Sequence, residues 1–371
     1  MINTIPTSGQ ARLPRALLMA GDTPIKWTAF SIDHNGIYEA GTISVTVAAE
    51  QFDWAWWMGQ TEIVIDVYVG FVANPDDVSS ADLPLLMTAR IDDIALEPAT
   101  STITLTGRDL TSLFIDNKVK GDYRNLTASQ IVALLAAKFP ILSAEITPTT
   151  TFAGNYYAQD TSVVQHQNTM WTLMTYLAQQ EGMQCFVLGR DLYFGKFGST
   201  LSDAPYNIVY QAPNDEQDYP VINAERLKFS HDLTISGDVT VHVSSFHGAK
   251  NAAYHAKTHS TRMSKLLANS ANVVQTAQEY HFSFPGLTLA QCQDKANLLL
   301  AQISRHEYKL DATVPGDTVT FPWTPLNVSG TGTPFDTTYQ IAHISRTFDR
   351  RGFLQTISAR TSPGPQEVKL S

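Results

Sequence analysis

Histidines with a spacing that suits metal binding lie in a polar stretch of the chain. His255 and His259 stand four residues apart, and His242 or His247 would supply a third ligand if the segment were helical. Thr and Ser surround the pair, and no carboxylate accompanies it. A spacing of this kind is weak support for a metal site by itself. We therefore predict solvated loop histidines and assign no metal.

Two adjacent carboxylates, Asp92 and Asp93, lie in a predicted strand. Glycoside hydrolysis needs two carboxylates that face one cleft, whereas neighbours in a strand point to opposite faces. The G-x-S-x-G, H-E-x-x-H, Walker and Cys-His signatures are also missing from the sequence. The sequence predicts no catalytic residue and no cofactor, so we expect the chain not to be an enzyme.

Trp54, Trp56 and Trp57 form the densest aromatic cluster of the sequence. Such rings could form a sugar-binding platform, but Phe52, Trp54 and Trp56 alternate as the residues of a strand do. Aromatic side chains dominate protein cores and subunit interfaces. We therefore expect core or interface packing at this cluster.

Charge and cysteine content exclude several classes of protein. A net charge of -10 argues against wrapping nucleic acid, because phosphate binding needs clustered Lys and Arg. Cys185 and Cys292 lie far apart in apolar settings, which predicts buried thiols and folding in a reducing cytoplasm. No apolar run approaches the roughly 18 residues of a membrane span, and no signal-peptide pattern is present. We expect neither export by a signal peptide nor membrane insertion.

Residues 15 to about 117 predict consecutive strands. Apolar and polar residues alternate at 42–47, 63–71 and 102–106, and turn residues separate these runs. One polar face per strand is typical of an antiparallel sheet or barrel.

The middle of the chain predicts a small α+β unit. A capping box at 127–130 starts one helix. Asn168 is expected to cap a second helix that runs through Gln180 and ends at Gly182, and a hairpin follows at 183–197.

The last part of the chain returns to strands. They are predicted at 224–231, 238–246, 279–284, 309–313, 318–321, 338–348 and 353–361. One helix, at about 288–306, begins with a second capping box. The polar insert at about 247–277 predicts either a functional loop or an extension that a partner orders, and we favour the extension.

Four stretches in a fixed order resemble one protein family. They are 102–117 with 126–131, 168–197, 284–296, and 314–317 with 338–348. In this order they resemble the tail hub proteins of Mu-like contractile phages and, more loosely, the phage late control D family and the N-terminal part of type VI secretion spike proteins. The polar insert has no counterpart in that family, and the first part of the chain matches only in strand character.

The resemblance implies a mainly β chain with two β-barrel domains related by quasi-symmetry and a small α+β domain. The first barrel would span 1–117, the α+β insert 118–205, and the second barrel 206–371. The resemblance also implies a homotrimer whose barrels join a sixfold tail tube to a trimeric central spike and line part of the DNA channel.

The partners that the resemblance implies are the tail tube protein, the central spike protein and other baseplate proteins. DNA would be only passing cargo, and no stable membrane insertion is expected. The protein would assemble in the host bacterial cytoplasm and reside in the virion, at the tail baseplate. The expected contact residues are Trp54, Trp56, Trp57, Arg108 and Asp109. A tail-associated cell-wall hydrolase and a carbohydrate-binding adhesin remain the alternatives.

Overall fold

The computed structural model describes most of the chain. The described residues are 13–36, 38–72, 78–119, 123, 125–150, 168–196, 205–214, 218–232, 239–247, 251–260, 278–284, 287–304 and 308–361. They form mainly β structure with a small α+β insert, which confirms the predicted fold class. Within these stretches, no helix has the length and apolar character needed to cross a membrane.

A first block of strands forms an antiparallel sheet near the beginning of the chain. Its strands are β1 (Pro14–Ala20), β2 (Thr23–Pro24), β3 (Trp27–His34), β4 (Thr42–Ala48), β5 (Val64–Phe71), β6 (Leu85–Glu97) and β7 (Thr102–Asp109). They pair in the order β3-β4-β7-β6-β5-β1-β2. Ile43, Val45 and Val47 are buried and alternate with more accessible residues, as the period-two pattern predicts.

Three short helical segments interrupt this block. They are a 3-10 turn at Ala49–Gln51, helix α1 at Trp54–Gly59 and a 3-10 turn at Ser80–Asp82. Helix α1 replaces the strand predicted for the tryptophan cluster. The side chain of Asp53 accepts a hydrogen bond from the backbone N–H of Trp56 at 3.1 Å, and this cap favours a helical turn over an extended chain.

The α+β insert has its own apolar core. Its elements are α2 (Thr111–Asp116), α3 (Ala128–Ala136), β8 (Ser143–Ile146), α4 (Met170–Gln180), β9 (Gln184–Leu188) and β10 (Asp191–Gly195). The predicted capping box between Thr127 and Gln130 is present, and the predicted hairpin is β9–β10. Thr169, rather than Asn168, caps α4, because its hydroxyl accepts from the backbone of Thr172.

A second block of strands packs around an apolar core of its own. Its strands are β11 (Tyr206–Gln211), β12 (Val221–Ile222), β13 (Arg226–His231), β17 (Tyr308–Pro315), β18 (Pro325–Ser329), β19 (Thr338–Asp349) and β20 (Gly352–Thr361). The strand predicted at 318–321 is wrong. The carboxylate of Asp317 accepts from the backbone N–H groups of Val319 and Thr320, so a side chain satisfies donors that a strand would pair with a neighbour.

A separate three-stranded sheet lies between β13 and β17 in the sequence. It consists of β14 (Val239–His247), β15 (Ala252–Ser260) and β16 (Gln278–Ser283), and helix α5 (Leu289–Ser304) packs on it. Strand β15 lies inside the predicted polar insert and pairs with β14 of the same chain. This part of the insert is therefore neither a loop nor an extension that needs a partner. Residues 248–250 and 261–277 of the insert lie outside the described residues.

The two strand blocks are joined by direct strand pairing. Strand β3 of the first block pairs antiparallel with β19 of the second, so that both belong to one 14-stranded sheet. Phe30 and Phe348 are register partners there, and their rings stack 5.5 Å apart. The buried apolar residues of the first block, among them Ile32 and Val45, form what we call the first core, and Phe353 of β20 is part of it. The blocks are thus continuous in both hydrogen bonding and apolar packing.

Candidate subunit interface

The three tryptophans of the predicted cluster have different environments. Trp57 is buried and stacks on Phe52 with ring centroids 5.0 Å apart, and Trp56 packs edge-on against Trp57. Trp54 remains 40% exposed, and Met58 on the same helix is 69% exposed. Helix α1 is therefore anchored in the first core by two rings and presents an apolar surface through Trp54 and Met58.

A cleft borders this helix and contains three carboxylates. Trp57 and Met58 form one wall together with residues 60–63, and residues 91–94 of β6 form the other. Asp92 and Asp93 both line this cleft, although adjacent strand residues were expected to face opposite ways. A β-bulge between Ile91 and Asp93 interrupts the alternation and accounts for the difference.

Asp92 is bound by arginine. Nε of Arg108 donates to Oδ2 of Asp92 at 2.7 Å, and the same guanidinium donates to Asp116 at 3.1 Å. Arg90 also donates to Asp116. The hydrogen bond from Arg108 holds the pKa of Asp92 below its usual value, so this carboxyl group stays ionised and does not suit a general acid.

The four charged residues define a surface, which we call the ion network: Arg90, Asp92, Arg108 and Asp116. Because Asp92 belongs to both the ion network and the cleft, the network borders the aromatic helix. The structure therefore places Arg108, through Asp92, beside the cleft that the buried Trp57 helps to line. Arg90 and Asp116 were not predicted from the sequence, and they join the network through the pairing of β6 with β7 and through α2.

Asp109 does not pair with Arg108. Its Oδ2 accepts from the backbone N–H of Gly41 at 2.6 Å, and its Oδ1 accepts from the backbone N–H of Thr111 at 2.9 Å. Burial raises the pKa of Asp109 to about 6. This carboxyl group holds β4 and the start of α2 in place, and its predicted contact with a partner stays a prediction.

The histidines predicted to lie in a solvated loop, His255 and His259, lie on a sheet instead, so the loop prediction is wrong. His255 and His259 are both on β15, where residues four apart are not adjacent as they are on a helix. Nδ1 of His242 and Nε2 of His255 are 3.2 Å apart. The ring of His242 also stacks on His281 of β16. The side chain of His247 lies outside the described residues.

Comparisons with known proteins identify the fold. No protein-family profile and no curated protein matches the chain. A tail protein from Neisseria meningitidis has a similar structure, with a TM-score of 0.66 and 15% identity over 94% of this chain and 96% of that one. The 43 kDa tail protein of prophage MuSo2 from Shewanella oneidensis gives 0.61 and 14% identity over 93% and 97%.

A third structure extends the comparison. The prophage tail protein gp18 from Listeria monocytogenes gives a TM-score of 0.56 and 12% identity, and the match covers 94% of this chain and 95% of that one. Identities this low relate the chains by fold. The chain thus has the fold of phage tail proteins, and the resemblance predicted from its sequence is confirmed at that level.

Proposed function

We propose that this chain is a non-enzymatic structural subunit of a phage tail and that it forms the hub of the baseplate. The observation that carries this proposal is the similarity to the Neisseria tail protein, which extends over 94% of this chain and 96% of that one. A match over nearly both full lengths relates the complete arrangement of strand blocks and inserts, rather than one common domain.

Two similar halves within the chain support a hub role. Each strand block is accompanied by a small sheet in which a hairpin is extended by a parallel third strand, namely β8 beside β10 and β16 beside β14. Each small sheet also packs against a helix that begins with Thr and Gln three residues apart, at Thr127 and at Thr288. Three copies of a chain with two similar halves would present six similar modules in a closed ring.

Such a ring would join a sixfold tail tube to a trimeric central spike. We propose β-barrel domains at 1–117 and 206–371 and an α+β domain at 118–205 as the building units. The partners would be the tube protein, the spike protein and other baseplate proteins, and the location would be the virion. A charge of -10 per chain favours a negative lumen that does not retain passing DNA.

The surface at α1 is our candidate for a subunit or tube contact. Trp54 and Met58 supply exposed apolar side chains on α1, and Met58 lines the same cleft as Asp92 of the ion network. An apolar centre with a polar rim is typical of protein interfaces. Aromatic and Arg residues also supply much of the binding energy in such contacts.

Three features favour a structural role over a hydrolase or an adhesin. Asp92 is held as an arginine-bound carboxylate, and burial raises the pKa of Cys185 and of Cys292, which disfavours a nucleophilic thiolate at either. Of the three clustered tryptophans, Trp54 is the one with a widely exposed ring, so the cluster offers little surface on which a sugar could stack.

Light scattering during size-exclusion chromatography tests this proposal. We expect a particle with three times the 40.8 kDa mass of one chain. A monomer at every concentration would contradict the hub assignment. Clearing of purified peptidoglycan would support the hydrolase instead, and quenching of tryptophan fluorescence by added glycans would support the adhesin.

A further inference from the structure

One face of the sheet β15-β14-β16 carries an unusual set of side chains. The opposite face bears Val239, Val241 and Val243, which are buried against α5. Because side chains alternate along a strand, the even-numbered residues of β14 and their register partners lie on the outer face. The residues of that face with metal-binding side chains are His242, His255, His259, Glu279 and His281.

His242 occupies the centre of this face. It lies on β14, the middle strand, directly opposite His281 of β16 in the register. Its Nε2 atom is buried and has no hydrogen-bond partner within the described part of the chain. Buried polar atoms normally have a partner, so this nitrogen points to a ligand.

The structure assigns His242, Glu279 and His281 to a divalent transition-metal site of the zinc type, with water in the fourth position. One ligand atom from each of these side chains lies within 4.8 Å of the other two. Two imidazoles and one carboxylate form a donor set that zinc accepts with an open fourth position.

The ligand atoms need to approach one another when the ion binds. With metal–ligand bonds of about 2.0–2.2 Å, the ligand atoms of a tetrahedral site are about 3.3 Å apart. The side chains of His281 and Glu279 are 67% and 54% exposed, so both can turn towards the ion. His242 is the fixed member of the set, since its ring is partly enclosed.

His255 is a positioning residue for this site. Its Nε2 lies 3.2 Å from Nδ1 of His242. If Nδ1 of His242 carries the proton and donates to His255, the lone pair of Nε2 is available to a metal. Ligating histidines usually donate their other ring N–H in this way, and such partners raise metal affinity.

Stacking of the His242 and His281 rings explains part of their closeness without a metal. The rings of His242 and His281 stack with centroids 4.5 Å apart and an interplanar angle of 16°, and such stacking needs no ion. Because a metal binds in the plane of an imidazole ring, metal binding would open this stack and would link β14 to β16, which are parallel strands that no hairpin connects. Ion binding should therefore raise the thermal stability of the chain, whereas ring stacking alone predicts no response to metal.

The test uses the full-length chain without a purification tag, stripped of metal with a chelator. Zn²⁺ is titrated by calorimetry, and Co²⁺ is added separately to record its visible absorption. We expect one ion per chain, a rise in Tm with Zn²⁺, and cobalt bands of the intensity that a four-coordinate site produces. His242→Ala and His281→Ala should each weaken Zn²⁺ binding at least tenfold.

Three further variants refine the assignment. His255→Ala should weaken binding by roughly tenfold, as expected of a residue that orients a ligand. Lys257→Gln should strengthen binding a few-fold, because Lys257 lies opposite His242 in the register and repels a cation. His231→Ala, a histidine on β13 of another sheet, should leave the affinity unchanged.

Two results would overturn the proposal. One is the absence of stoichiometric Zn²⁺ binding to the unmodified chain. The other is binding that folded His242→Ala and His281→Ala variants retain, which would put the ion elsewhere. Circular dichroism of each variant establishes folding, and Glu279→Gln, at an exposed position, tests the site with little risk to the fold.

Discussion

The guanidinium of Arg346 donates a hydrogen bond to Nδ1 of His34 over 3.1 Å, and this bond links the two strand blocks. His34 ends β3 of the first block, whereas Arg346 lies on β19 of the second and is fully buried. Arg346 also donates to the backbone carbonyl groups of Asp317 and Thr320. Because arginine has no acceptor, Nδ1 of His34 must be unprotonated.

Lowering the pH should destabilise the folded chain through His34. Burial and the neighbouring charge of Arg346 lower the pKa of His34 from 6.5 to about 3. Between these values the unfolded chain binds a proton at His34 and the folded chain does not, so the free energy of unfolding falls as the pH falls. This residue alone should contribute about 1.4 kcal/mol per pH unit.

Urea unfolding between pH 6 and pH 4, which lies inside that window, measures the slope. The matched variant is His34→Asn, which keeps an oxygen acceptor for Arg346 and removes the titration. The variant should lose stability less steeply than the unmodified chain as pH falls. Equal slopes would show that His34 titrates alike in the folded and unfolded chains.

The second prediction concerns Asp317. This buried carboxylate accepts from the backbone of Val319 and Thr320 and from Nε2 of Gln355, and it lies 3.9 Å from the guanidinium of Arg346. Asp317→Ala should lower the free energy of unfolding by about 3–5 kcal/mol, because it leaves a buried charge uncompensated.

Denaturant titration measures the loss at Asp317. Asp93→Ala, at an exposed carboxylate, is the control and should change stability by about 0.5 kcal/mol or less. Similar values for the two variants would mean that the buried contacts of Asp317 contribute little.

The third prediction concerns Gly107. It lies on β7 opposite the bulge of β6, and an added Cβ would come within 2.3 Å of the carbonyl oxygen of Arg90. Gly107→Ala should therefore destabilise the chain by about 1–3 kcal/mol through forced backbone shifts. Gly59→Ala is the control, since no atom lies within 4 Å of its added Cβ. A lower Tm for Gly59→Ala than for Gly107→Ala would refute this account of the bulge.

The fourth prediction separates the two roles of the tryptophan cluster. Trp57→Ala should cost about 3–5 kcal/mol of stability, because it empties part of the first core. Trp54→Ala should leave stability within about 1 kcal/mol but weaken self-association about tenfold, as loss of an interface anchor does.

Sedimentation equilibrium of the folded variants measures association. Tyr219→Ala, an exposed aromatic residue outside this surface, is the control. Unchanged association of Trp54→Ala would remove α1 from the proposed interface.

Local patterns in the sequence predicted much of the fold. The alternation at 42–47 and the capping box at Thr127 depend on neighbours in the chain, and both are observed. The alternating pattern wrongly predicted a strand at 318–321, where the carboxylate of Asp317 accepts a hydrogen bond from the backbone N–H of Thr320. No strand was predicted at β15, whose outer face is polar and where Ala256 is the one buried residue among 252–259.

Less of the candidate site than of the fold could be predicted from the sequence. Trp54 and Arg108 were identified by residue type, but the short helix at Trp54 depends on the cap from Asp53. Arg90 and Asp116 meet Arg108 through strand register and the position of α2, which residue spacing does not reveal. The approach of His242 to His281 likewise follows from a parallel pairing between strands that are distant in sequence.

Class averages from electron microscopy of the purified chain would show the proposed assembly without any intermediate inference. We expect a closed ring of three copies that shows six similar lobes around an open lumen. Monomers, or rings in which each copy contributes a single lobe, would contradict it.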